Sequence, residues 1–470
     1  MRPDINPGRG GRRSLAALAT AITLVIGTFA IAPSAGAAPR VVTASSPATP
    51  STADVRSPHP RLMADTARIT QLKNQQKSDP TSQALADRVM AEASRLRGVS
   101  RINYSLSGGK MLSQATELVD RTYTLVVAWT LSGDKSYLDL LWKDLGPAAK
   151  LKSWNPDHML DTAELTHAAA IAYDWANSGW TKDQRGQLRN AIVTLGLEPS
   201  LKIYDLAEGA RSPYTYLGNW RLSTTNVNTI INSAMILGAL AVAKDSTSST
   251  VQKALTGASK SIRSGLSEYE SDGGFSEGPT YWAYATRSAA AALVSLKTST
   301  GRDYGLASVG GLSKTGSFAL DLRSADDTVY NFADSSSLPG VVNLPLAGLA
   351  RLYDSPSLGA ASAVDVSGGY TRAAQQLIMR DPAWKNATAA TGSLNASYAT
   401  GVTTARSSTT STDATYVAFR SASKYGTVHQ HIDPGDFQLA ALGQEWAVEL
   451  GTEKATYDLA DRSNTSARWT

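Results

Sequence analysis

From about Pro60 to Trp384 the chain alternates apolar stretches of helical period with glycine-containing turns. Leu118, Val119, Thr122, Val126 and Trp129 recur at helical spacing, Gly133-Asp134 interrupts them, and Tyr137, Leu138, Leu141 and Trp142 resume the period. That grammar predicts an αα-hairpin. Leu160 to Asn177 behaves alike and stops near Gly179, after which Thr181 and Gln184 stand at capping-box spacing ahead of a helix to about Gly196. Further helices are predicted near 226–244, 248–270, 281–298, 313–322 and 370–380, roughly ten to twelve in all. The repeats show no fixed period, which favours a ring of helix pairs over an open solenoid. After Ala387 the pattern changes to short alternating runs, Ala414–Phe419, Phe437–Leu442 and Trp446–Leu450, separated by Gly, Asp and Pro. Helices followed by strands make an α+β chain. Its predicted organisation is a helical body at 60–385 and an antiparallel β region at 386–470, with the boundary in the Ser/Thr/Ala-rich stretch from about 386 to 412.

The first residues have a different logic. Arg2, Arg9, Arg12 and Arg13 precede an apolar run from Leu15 to Ala32, and Ala35-Gly36-Ala37 supplies the small residues of a cleavage site. Residues 1–37 therefore read as a secretory signal peptide and 38–59, rich in Ser, Thr, Ala and Pro, as a flexible lead-in. The expected location is extracellular or periplasmic, with no membrane attachment after cleavage. Charge then changes meaning. The whole chain carries 45 Lys plus Arg against 40 Asp plus Glu; without the four arginines and one aspartate of residues 1–37 the balance is 41 against 39, a net +2. So small a charge gives no reason to expect nucleic acid as a partner. The absence of cysteine excludes disulfide scaffolds, thiolate metal sites and cysteine nucleophiles.

Three clusters carry candidate chemistry. His429-Gln430-His431 puts two of only five histidines on one face of a strand, with Asp433, Asp436 and Glu449 nearby in sequence. The segment Asp272 to Tyr284 contains three glycines and a proline in a loop that delivers Tyr281 and Tyr284 to a helix start, where developing negative charge is favoured. Trp282 between them reads as packing, and Glu277 lies in the same loop. Asn219-Trp220 is followed by Asn226, Asn228 and Asn232, more amides than one helix cap needs. His158 and His167, with Asp161 and Glu164, read mainly as structural.

Together these clusters resemble the heparinase II/III-like group of polysaccharide lyases, which includes exolytic alginate lyases. The resemblance is carried by the Asn-rich helix start at 226–232 with Met235-Ile236-Leu237-Gly238, the Asp272-Gly273-Gly274 to Tyr284 loop, Asn331-Phe332-Ala333-Asp334, and His429-Gln430-His431-Ile432-Asp433 leading to Trp446–Gly451. It implies an incomplete (α/α) toroid of helical hairpins followed by an antiparallel β-sandwich, which would be cut short here, with the active site in the cleft between them. It also implies β-elimination on a uronic-acid-containing polysaccharide of alginate or glycosaminoglycan type.

Under that resemblance Asn226 or Asn228 would hold the substrate carboxylate as negative charge accumulates on it. Tyr281 would be the acid, with Tyr281 or His429 as the base. Arg221, Asn232, Glu277, Trp282 and Tyr284 would contact substrate. His431 and Glu449 would belong to a zinc site that the chemistry itself does not require; two ligands do not close such a site. Two other readings stay open at this point. One is a glycoside hydrolase using Asp272 and Glu277 as a carboxyl pair; the other is an inactive carbohydrate-binding protein. An epimerase would share the proton-abstraction step.

Overall fold

The computed structural model describes residues 48–214, 216–325, 327–336, 340–363, 372–421, 429–431 and 433–452. The predicted signal peptide lies outside the described residues, as do residues 38–47 of the lead-in. Fourteen α-helices occur among the described residues: α1 (Thr66–Gln75), α2 (Pro80–Arg95), α3 (Leu112–Ser132), α4 (Ser136–Ala149), α5 (Met159–Trp175), α6 (Lys182–Ala191), α7 (Glu198–Tyr204), α8 (Asn226–Val242), α9 (Ser249–Leu266), α10 (Gly278–Thr300), α11 (Thr315–Leu322), α12 (Asn343–Tyr353), α13 (Pro356–Ala361) and α14 (Ala373–Met379). The periodic stretches named from sequence coincide with α3 to α6, α8 to α11 and α14. The pattern left α1, α2, α7, α12 and α13 unmarked: α7, α12 and α13 are short, and each has a proline close to its start.

Local chemistry sets the helix ends. Gly133 closes α3 with φ +75, and Thr181 and Gln184 form the expected capping box of α6. Which helices go inside follows from their faces. Every residue of α5 except His167 and every residue of α8 except Val227 is buried, whereas α9 buries a single stripe. A helix buried on all sides must be enclosed with its polar side chains paired, as Asp161 is with His158 and Glu164 with Tyr284, and an amphipathic helix can cover it. Accordingly α3, α5, α8, α10 and α12 pack side by side in sequence order as an inner wall. The intervening α4, α6, α7, α9 and α13 pack outside them, and α14 with α2 spans the gap between α12 and α3. Because α4, α6 with α7, and α9 return the chain outside, the inner helices α3, α5, α8 and α10 run the same way. Gly238 lets α8 approach α5 closely: a Cβ there would lie 2.7 Å from Cγ2 of Thr166.

The strands β1 (Asn395–Ser397), β2 (Val402–Arg406), β3 (Tyr416–Arg420), β4 (Phe437–Ala441) and β5 (Gln444–Ala447) form one antiparallel meander in that order. Its inner face carries Val402, Thr404, Tyr416, Ala418, Arg420, Gln438 and Ala440, all buried. Tyr416 Oη donates to the carbonyls of Asp321 and Leu322 at the end of α11 (3.1 and 2.9 Å), and the Tyr398 hydroxyl donates to the Asp321 carboxylate (2.6 Å). On the outer face the cross-strand pair Phe419 and Phe437 is exposed. No helix among the described residues is long and apolar enough to cross a membrane.

Candidate active site

The parallel inner helices bring their N-termini to one end of the ring, and the start of α10 is the best-organised of them. Gly278 opens α10 with φ +84, and a Cβ there would meet the Phe332 carbonyl oxygen and Ser335 Oγ, each at 2.4 Å. That approach lets the 331–336 loop lie across the helix start. Thr280 N donates to Ser335 Oγ (3.3 Å) and Ser336 N to Thr280 Oγ1 (3.0 Å). Ala333, in the left-handed region with φ +62, turns the loop back, and Asp334 N then donates to the His429 carbonyl (3.0 Å). The tail after β5 docks on the same loop: Thr452 N donates to the Ser335 carbonyl and Asn331 Nδ2 to that of Glu449.

This hub places Tyr281, in the first turn of α10, flat against His429, with ring centroids 3.6 Å apart and planes 13° from parallel. Asp334, 4% exposed, joins both histidines: Oδ2 lies 3.0 Å from His429 Nδ1 and Oδ1 lies 2.9 Å from His431 Nε2. A carboxylate at Nδ1 sets the tautomer that puts the lone pair on Nε2 of His429. His429 sits in the left-handed region, φ +77, a conformation that only its surroundings hold in place. Asp334 had no assigned role in the sequence. Its motif was visible, but the turn that aims it and its partners 95 and 97 residues away were not.

His431 also faces Asp433 (3.5 Å). Burial alone would depress its pKa, but Asp334 and Asp433 outweigh that and raise it to about 9, so the imidazole is cationic at neutral pH. His431, Asp433 and Glu449 each offer a ligand atom within 4.8 Å of the others. The set thus adds Asp433 to the predicted pair, and a zinc-like ion would take the imidazole nitrogen only by displacing the proton that the neighbouring carboxylates hold there. Burial, then Asp436 and Asp433, push Glu449 up to about 7, the mark of acids crowded together.

Glu277, wholly buried, ends the approach to α10, one turn before Tyr281. Its carboxyl accepts Asn226 N (2.8 Å) and Asn226 Nδ2 (2.5 Å). Burial raises Glu277 to about 8 against the opposing pull of the two Asn226 contacts. Asn226 therefore opens α8 beside the start of α10.

The other expected contacts lie elsewhere, for packing reasons. Asn228 is fully enclosed, its Nδ2 donating to the Trp220 and Arg221 carbonyls and Ser261 Oγ, and its Oδ1 accepting from Gly265 N. Asn232, equally buried, bonds Asn228 and Ser261 and accepts the Tyr204 hydroxyl (2.7 Å). These two amides knit α8 to α9 rather than facing a cleft. Arg221 NH1 donates to the Tyr204 carbonyl on the α7 side. Trp282 is 0% exposed with Nε1 on Thr315 Oγ1 (2.7 Å), so it fills the body and meets no solvent. Tyr284, one turn deeper than Tyr281, donates to the Glu164 carboxylate and lies under the Arg287 guanidinium (4.4 Å). Asp272 accepts Gly274 N within its own turn and Ala399 N from the strand region. With Glu277 sealed against Asn226, the two carboxyls do not present the hydrolytic pair that the sequence left open.

Neither a protein-family model nor a curated protein matches this sequence. Among solved structures the chain is similar to heparinase III, with TM-score 0.48 and 14% identity over 75% of this chain and 53% of that one. It is also similar to heparan sulfate lyase HepC from Pedobacter heparinus, with TM-score 0.44 and 12% identity over 83% and 62% of the two chains. A second heparinase III gives TM-score 0.41 and 12% identity over 84% and 68%. The chain spans about half the length of the first of these.

Proposed function

We propose that the protein is an exported polysaccharide lyase that cleaves a uronic-acid-containing chain by β-elimination. The observation that carries this reading is the Tyr281–His429 stack, anchored by Asp334 one helical turn from the Asn226–Glu277 pair. β-Elimination asks for three things: a donor to the substrate carboxylate, a base for the C5 proton and an acid for the leaving oxygen. Glu277 and Asn226 supply the first. With the proton on Glu277 the Asn226 amide would turn over, so that the acid donates to Asn226 Oδ1 in place of accepting Nδ2. The amide then turns both Nδ2 hydrogens outward, toward a carboxylate on which charge is growing.

Tyr281 and His429 supply the other two. The base takes the C5 proton, its electron pair forms the C4–C5 double bond, and the C4–O bond breaks with its pair on oxygen. The leaving oxygen is then protonated, and no water is consumed. Tyr281 is assigned as the acid. Whether Tyr281 or His429 is the base depends on the epimer at C5, which sets the face that carries the proton. A divalent ion held by His431, Asp433 and Glu449 would lock the histidine segment to the tail after β5 and add positive charge beside Asp334. Export follows from the signal-peptide pattern of residues 1–37.

The test is incubation of the mature chain with alginate, heparin, heparan sulfate, chondroitin and hyaluronan while ultraviolet absorbance of the unsaturated uronate is followed. A rise with one polymer identifies both reaction and substrate. Saturated reducing ends without that absorbance would replace elimination by hydrolysis.

A further inference from the structure

His158 lies outside the Tyr281–His429 cluster and is not needed by the scheme above. It occupies the 3-10 turn Pro156–His158 that leads into α5, and is 4% exposed. Its Nδ1 lies 2.6 Å from Asp161 Oδ1, and Asp161 is itself 0% exposed. The other Asp161 oxygen accepts Met111 N and Asn155 Nδ2 (2.8 Å each), so the carboxylate is fixed from three sides. The Tyr216 ring meets the imidazole edge-on, centroids 4.5 Å apart. Among the described residues Nε2 has no hydrogen-bond partner. A buried imidazole held this firmly through one nitrogen, with the other left over, is built to offer that nitrogen to something.

The helix geometry says where. The Tyr284 hydroxyl on α10 meets Glu164 on α5, which fixes the relative height of these two parallel inner helices. From that contact Tyr281 is three residues and His158 six residues toward the N-termini, about 4.5 and 9 Å at the α-helical rise. Both therefore lie at the same mouth of the ring, on different walls.

We propose that His158 is a substrate-contacting residue, its Nε2 hydrogen-bonding a hydroxyl or carboxylate of an acidic sugar in a subsite across the mouth from Tyr281. This rests on the lyase reading given above. Asp161 orients the ring and Tyr216 braces it.

Two amide substitutions separate this from a purely structural role. Asn can reproduce Nδ1 toward Asp161 but has nothing at Nε2, whereas Gln can reach the Nε2 position. Full mature chains carrying His158→Asn, His158→Gln and His158→Ala are assayed for KM and kcat by ultraviolet absorbance and for Kd by calorimetry, with heparan sulfate and alginate as probes. Melting temperatures are recorded for all. The expected result is KM and Kd raised about tenfold in Asn and Ala, restored toward wild type in Gln, with kcat little changed. Any pattern in which Gln is no better than Asn overturns the proposal, including the one in which Asn alone is native-like because only the Asp161 bond matters. A wild-type chain that cleaves neither probe while binding tracks Nε2 removes the lyase reading and keeps the subsite. A wild-type chain that neither cleaves nor binds removes both.

Discussion

Replacing Glu277 by Gln tests the protonation state on which the carboxylate-binding role of Asn226 depends. Glu277 is 0% exposed, and burial lifts its pKa from 4.5 to about 8. Below about 4.5 the carboxyl is protonated in both folded and unfolded chains and contributes no pH dependence. As pH rises from there to about 8, the unfolded chain releases this proton while the folded chain keeps it, so the unfolded state gains and stability falls. The slope is about 1.4 kcal/mol per pH unit, which reaches about 3 kcal/mol near neutral pH and at most about 5 kcal/mol at the upper end. Gln is the isostere of the protonated acid: Oε1 can accept Asn226 N, and Nε2 can donate to Asn226 Oδ1. Glu277→Gln should therefore match wild type near pH 4.5, exceed it by about 3 kcal/mol near neutral pH, and keep its activity. Urea denaturation across this pH range, with turnover measured on the same samples, is the assay. If Glu277 is ionised in the native protein, Gln instead sets its amide against the Asn226 donors. The variant would then be less stable by about 1–3 kcal/mol near neutral pH, and that result would refute the protonated Glu277.

Three further outcomes follow from the same geometry. Tyr281→Phe should reduce turnover by about 10²- to 10⁴-fold with an unchanged melting curve; full activity would remove the hydroxyl from the mechanism. Asp334→Asn should lower kcat by about 10²- to 10⁴-fold, more than it alters KM, because an amide no longer dictates which ring nitrogen of His429 carries the proton. An unchanged kcat would show that His429 needs no such partner. Gly278→Ala forces a Cβ to within 2.4 Å of the Phe332 carbonyl at φ +84, and should lose about 1–3 kcal/mol or more in urea denaturation, with activity falling as the 331–336 loop is displaced.

The local grammar of the chain determined a good deal. Helical period, the Gly133 stop and the Thr181–Gln184 capping box are properties of neighbouring residues, and they specified α3 to α6 without reference to the rest of the fold. The unbroken apolar run of α8 from Ala234 to Val242 is what an enclosed helix bears. The Tyr281 loop and the His429–His431 pair announced themselves by residue type and spacing, and the structure brings them into ring contact. The alternation of β1 and β2 was lost among Ser and Thr, which occur as readily in loops.

Tertiary structure decided which of several chemically similar side chains meets the start of α10 and which meets α9. Asn226, Asn228 and Asn232 look alike along the sequence, yet Asn226 meets Glu277 from α10 whereas the other two are consumed by Ser261, Gly265 and Tyr204. Asp334 became the partner of two histidines only because Gly278 and Ala333 adopt left-handed backbone and let its loop cross the start of α10. His158 reads as an ordinary helix-start histidine until Asp161 and Tyr216 are seen to fix one side of its ring. Sequence periodicity records what a residue's neighbours a few positions away require. The fate of a polar group is set by the donors, acceptors and apolar walls that distant segments bring to it, and those contacts exist only once the ring has formed.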